Sequence, residues 1–160
     1  MTRLIGFRRR ARGIEPAVPQ ISVRPLVALV AALAVTGAAA SATGASTFRT
    51  PSGNIGCLYT PASGSASVGL RCDLVSVAHP PARPSSCRLS YGRAFLLSGT
   101  GRARRGCVGD TVLDPHATVI GYGATRHFGP FTCTSRASGL TCRSRYHHGF
   151  TLSRAHQKLF

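Results

Sequence analysis

The sequence predicts a mostly β fold: a small antiparallel sheet built from hairpins, sandwich-like or barrel-like, stapled by three disulfides. After residue 45 no segment holds an apolar period of 3.6 residues. Short runs rich in Val, Phe, Tyr, Thr and Leu instead alternate with Gly, Pro and Ser, which is the pattern of many short strands. Six cysteines, at positions 57, 72, 87, 107, 133 and 142, all fall in this part of the chain and none before it. An even count in a small exported chain reads as a disulfide framework. With 160 residues in all, there is room for one domain.

Residues 1–45 are expected to be a signal peptide and residues 46–160 a single exported domain. The run Leu26–Val35 is apolar, follows Arg24 and the cluster Arg8, Arg9, Arg10 and Arg12, and decays into Ala, Ser and Gly. That is short of the roughly 20 apolar residues a membrane-spanning helix needs, so cleavage is expected rather than a stable anchor. Small residues place the cut near Ala42, after Ala40-Ser41-Ala42, or near Ala45, after Thr43-Gly44-Ala45. Two explanations stand for the long stretch before the apolar run: a twin-arginine signal at Arg8-Arg9-Arg10, or a true start near Val18 or Val23, which is favoured. Cys57 lies too far from the apolar run to be a lipidation site.

Strands are expected near Ile55–Tyr59, Ser67–Leu74, Arg88–Leu97, Ala117–Tyr122, Phe131–Thr134, Leu140–Ser144 and Phe150–Ser153. The segment His79–Ser86 carries three prolines and cannot run through a central strand, so it reads as a connector between two halves. The cysteines expose a repeat. Gly69-Leu70-Arg71-Cys72 recurs as Gly139-Leu140-Thr141-Cys142. The midpoint between Cys57 and Cys72 falls in the turn-forming run Pro61–Ser65, and that between Cys133 and Cys142 in Arg136–Gly139. Residues equidistant from a hairpin turn face each other closely enough to be bridged. Cys57–Cys72 and Cys133–Cys142 follow, leaving Cys87–Cys107 by elimination.

Five stretches carry a resemblance: Phe48–Cys57, Leu70–Asp73, Cys107–Thr111, Gly139–Cys142 and Gly149–Arg154. In these cysteine contexts the chain resembles a family of small secreted actinobacterial proteins that is known only as a domain of unknown function. The resemblance spans nearly all of the exported part. It implies export and a disulfide-stapled domain, and it implies no activity.

Charge is the other bound. Of 20 basic and 4 acidic residues, six and one precede residue 46, which leaves 14 against Asp73, Asp110 and Asp114, a net charge of about +11. Such a field attracts polyanions. The densest clusters are Arg102, Arg104 and Arg105, with Arg93 nearby, and Arg143 with Arg145; these are the candidate anion-binding residues. Asp110, in the turn sequence Gly109-Asp110-Thr111, reads as a structural carboxylate paired with an arginine.

No catalytic residues are assigned, because no nucleophile elbow of the type G-x-S-x-G occurs and all six cysteines are spent in disulfides. No metal or other cofactor is assigned either. His147 and His148, with His116, His127 or His156, offer imidazoles, but neighbours in a strand point to opposite faces. The expected function is a non-enzymatic extracellular or envelope-associated binding module with a preference for anionic ligands. The expected partner is an anionic cell-wall polymer or another polyanion rather than intracellular nucleic acid. A small secreted inhibitor or hydrolase is the alternative, and the sequence leaves the oligomeric state open.

Overall fold

The structure, a computed structural model, describes Pro19 and residues 44–160. Of the expected leader, residues 1–45 with a cut near Ala42 or Ala45, all but Pro19, Gly44 and Ala45 lies outside the described residues. Eleven strands follow one another: β1 (Ser46–Arg49), β2 (Ile55–Thr60), β3 (Gly69–Leu74), β4 (Ser90–Ser98), β5 (Arg104–Val108), β6 (Thr118–Val119), β7 (Thr125–Phe128), β8 (Phe131–Arg136), β9 (Gly139–Ser144), β10 (Gly149–Leu152) and β11 (Gln157–Leu159). They form a six-stranded sheet in the order β5-β4-β3-β2-β1-β6 and a five-stranded sheet in the order β11-β10-β9-β8-β7. All neighbours are antiparallel except β1 and β6, which run parallel.

Alternation along the strands decides which face is buried. On β3, Leu70, Cys72 and Leu74 turn inward while Arg71 and Asp73 share the outer face, where the two side chains meet. On the second sheet Phe131 and Cys133 of β8 and Leu140 and Cys142 of β9 are wholly buried. The inner faces of both sheets contribute to one apolar cluster. Phe48 stacks on Phe128 with ring centroids 4.3 Å apart, Phe131 meets Tyr59 edge-on at 6.3 Å, and Phe95 leans on Phe150 at 6.2 Å. Each pair joins one sheet to the other. The fold is therefore a β-sandwich. A fully buried Phe contributes about 1.5–3 kcal/mol, and an aromatic pair about 0.5–1.5 kcal/mol beyond its area.

The three disulfides are Cys57–Cys72, Cys133–Cys142 and Cys87–Cys107. Cys57 and Cys72 are direct partners across β2 and β3, and Cys133 and Cys142 across β8 and β9. Their Cα atoms stand 4.0 and 4.1 Å apart, the close spacing of positions without mutual ladder hydrogen bonds. The turns sit at the midpoints, beside Gly64 and Ser65 in the first hairpin and at Ala137 and Ser138 in the second. The repeated Gly-Leu-x-Cys is thus the returning strand of the central hairpin of each sheet. Cys87–Cys107 is of another kind. Cys107 pairs with Tyr91 in the ladder, so its disulfide fastens the end of the proline-rich connector to β5.

That connector joins β3 to β4 within one sheet, whereas the expectation was a link between two halves. The passage between sheets comes later, between β6 and β7. Strand β4 begins at Ser90 rather than Arg88, because its partner β5 ends at Val108, opposite Ser90. The expected strand Ala117–Tyr122 shrinks to two residues, Thr118 and Val119, which lie opposite Phe48 and Arg49 of β1, and its last bond to β1 is from the Ile120 amide to the Arg49 carbonyl at 2.9 Å.

On the outer face of the six-stranded sheet, the loop between β5 and β6 lies across β2 and β3. Gly56 admits it: a Cβ there would stand 3.0 Å from Leu113 Cδ2 and 3.4 Å from Leu113 Cα. Thr47 Oγ1 donates to Asp114 Oδ2 at 3.1 Å and pins the far end of the loop. In the other sheet Gly149 faces the carbonyl oxygen of Cys142 so closely that no Cβ fits.

Candidate functional site

All three aspartates of residues 44–160 gather on the loop-covered outer face. Asp73, buried by the loop, accepts from Arg71 Nε at 3.0 Å, Arg71 Nη2 at 2.9 Å, Thr111 Oγ1 at 3.1 Å and the Val112 amide at 3.0 Å. Arg71 also donates from Nη1 to Asp110 Oδ1 and from Nη2 to the Asp110 carbonyl, both at 2.8 Å. One guanidinium thus holds two carboxylates, as a planar fork of five donors can. Burial disfavours the charge on Arg71, but its hydrogen bonds and attraction to Asp73 and Asp110 outweigh this and raise its pKa. The hydrogen bond and charge of Arg71 in turn lower the pKa of Asp110, which is otherwise open to solvent. Asp110 is arginine-paired, as its turn sequence suggested.

These two contacts are the only salt bridges among the described residues. Arg102 and Arg104 are exposed and line, with Arg71, a cavity of about 410 Å³ on the outer face; Leu58 and Leu96 form part of its wall. Arg143 and Arg145, also exposed, line a second cavity of about 690 Å³ with Thr100, Thr132 and His147. Val68 belongs to the walls of both. His147 holds a left-handed backbone, φ 67°, in the β9–β10 turn, where its amide donates to the Ser144 carbonyl at 3.0 Å. The Arg145 guanidinium lies over the Tyr146 ring, 4.9 Å from its centroid.

Two of the six expected anion-binding arginines lie elsewhere. Arg105 folds over Phe95, 5.1 Å from the ring centroid, and donates to the Gln157 carbonyl at 3.4 Å, so it bridges the edges of the two sheets. Arg93 is exposed in a smaller cavity, about 320 Å³, beside Asp73 and Asp110. Arg71, the organising cation of the outer face, was not among the expected residues. Its signal in the sequence is Arg71-x-Asp73 inside a strand, a spacing that sets opposite charges on one face. The histidines His116, His127, His147, His148 and His156 belong to no group of three or more potential metal ligands among the described residues.

With guanidinium groups and hydroxyls facing open cavities, the surface can accept oxyanions through charge-assisted hydrogen bonds. No curated protein and no solved structure matches the chain. A family model does match, over residues 27–160, and its description is a family of unknown function, DUF6636. The chain belongs to that family.

Proposed function

We propose that the protein is an exported, non-enzymatic module that binds anionic ligands through its arginines. The observation that carries this reading is the state of its charges. Asp73 and Asp110 are both spent on Arg71, which leaves thirteen of the fourteen Arg and Lys side chains of residues 44–160 without a carboxylate partner. Nothing in the fold requires so many free cations, and each costs self-repulsion in the compact state. Export is supported by the three disulfides, which persist in oxidising surroundings. No helix among the described residues is long and apolar enough to cross a membrane.

A salt titration with a labelled polyphosphate tests the reading. Four arginine contacts should give a slope of log K against log salt near −3, or about 50-fold weaker binding between roughly 50 and 200 mM salt. Absence of binding at the lower salt would end the proposal. A salt-independent affinity would instead favour the apolar contact of a secreted inhibitor.

A further inference from the structure

The two cavities bearing arginine pairs are neighbours, and this deepens the anion-binding reading on which it rests. The β4–β5 turn forms the divide between them. Ser98 and Arg102 face the first cavity, and Gly99 and Thr100 face the second. The turn is held on one side, where the Gly99 amide donates to the Val68 carbonyl at 3.0 Å; across from it the Arg145 amide donates to the Pro130 carbonyl at 3.0 Å and fixes the wall of the second cavity. A Cβ on Gly99 would meet Val68 Cγ1 on one side and lie 3.6 Å from Pro130 Cγ on the other. Arginine pairs some forty residues apart in the chain thus flank a single low ridge of Gly99, Val68 and Pro130.

Lining chemistry narrows the ligand. Hydroxyls recur on both sides of the ridge, from Thr60, Ser67 and Ser98 in the first cavity and Thr100, Thr132 and Ser144 in the second. Neither cavity is lined by Phe, Tyr or Trp, and the second holds a single imidazole, that of His147. The exposed aromatic beside the second, Tyr146, has one ring face taken by Arg145. Binders of single-stranded nucleic acid use a series of aromatic platforms on which successive bases stack, and the cavities here offer only the His147 ring. Hydroxyls with arginines suit a ligand whose own backbone carries hydroxyls and phosphates. The one carboxylate at the edge of the first cavity, Asp110, is paired with Arg71, which it shares with the buried Asp73, so that trio keeps one net negative charge and the anion is left to Arg102 and Arg104.

We propose that the ligand is a linear polyol or sugar phosphate polymer that crosses the ridge, gripped by Arg102 and Arg104 on one side and by Arg143 and Arg145 on the other. The probes are poly(glycerol phosphate), in a long chain and in an oligomer too short to reach both cavities, and oligodeoxythymidylate matched in phosphate number to the long chain. The variants are Arg102→Ala/Arg104→Ala, Arg143→Ala/Arg145→Ala and, as a charge-matched control away from both cavities, Arg126→Ala/Arg136→Ala. All six residues are exposed, and melting curves on the oxidised proteins verify folding.

Removing either cavity pair should lower the salt slope for the long chain by about 1.5, half its value, and bring its affinity down to that of the short oligomer; the control pair should do neither. Equal weakening by the control would overturn the groove while leaving a diffuse anion-binding surface. Tighter binding of oligodeoxythymidylate than of the long chain would overturn the ligand class. Failure of every polyanion to bind would take down the anion-binding reading itself.

Discussion

Replacing Asp73 by Asn should unsettle the protein far more than the same change at Asp110, although both carboxylates answer to Arg71. The Asp73 side chain is 5% exposed and takes four hydrogen bonds, three of them on Oδ2. An amide keeps one acceptor oxygen. Whichever way it is turned, its NH₂ group confronts a donor, either Arg71 Nε or the trio of Arg71 Nη2, Thr111 Oγ1 and the Val112 amide. Breaking a buried ion pair by removing one partner costs about 3–5 kcal/mol. Arg71 keeps Asp110 and is itself 15% exposed, so the cost falls at or below the bottom of that range, about 2–3 kcal/mol. For a domain of this size about 4 °C is lost per kcal/mol, so the melting point should fall by about 10 °C. The Asp110 side chain is 77% exposed, and solvent already screens it, so Asp110→Asn should give only a small fraction of that shift. Calorimetric melts of the oxidised proteins at neutral pH measure both. A melting point for Asp73→Asn within about 2 °C of the parent, or a larger drop for Asp110→Asn, would refute the weighting of this network by burial.

Acid should remove what Asp110 contributes. Its carboxyl is held below the usual range by the hydrogen bond and charge of Arg71, so its contribution is complete above the ordinary carboxylate value of about 3.9 and disappears as pH falls through the folded value. The stability gap between the parent and Asp110→Asn, followed by denaturant melts, should hold steady from neutral pH to about 5 and close at more acid pH; a gap unchanged at the acid end would count against the pairing. Among the disulfides, Cys87–Cys107 should be reduced first by mild thiol, because Cys107 is exposed whereas Cys57, Cys72, Cys133 and Cys142 are wholly buried. Alkylation and mass mapping during partial reduction would show this, and early loss of either hairpin bond would contradict it.

The hairpins were legible because their information is local. A turn run midway between two cysteines fixes both register and pairing, and the structure has Cys57 opposite Cys72 and Cys133 opposite Cys142. Strands β1, β5, β7 and β11 were not foreseen. Each is short, and their few apolar side chains give no alternation to read: Thr125, Arg126 and His127 of β7 are all exposed, and only Phe128 turns inward. Strand β5 hides in an arginine-rich stretch and exists because β4 offers it a ladder. At the site, the sequence marked both arginine pairs but not their proximity, which arises only where the β4–β5 turn of one sheet meets Pro130 of the other. Arg105 was indistinguishable from Arg104 in sequence. The pleat separates them, with Arg104 opposite Leu96 on the outer face and Arg105 opposite Phe95 toward the core.

Every covalent cross-link stays within one leaf of the sandwich: two in the six-stranded leaf, one in the five-stranded leaf, none between. Oxidation therefore hardens the covers of the book without binding it shut. What joins the two leaves is the aromatic seam of Phe48, Phe128, Tyr59, Phe131, Phe95 and Phe150, so if it opens, only the hairpins β2–β3 and β8–β9 and the tie from Cys87 to β5 stay covalently fastened.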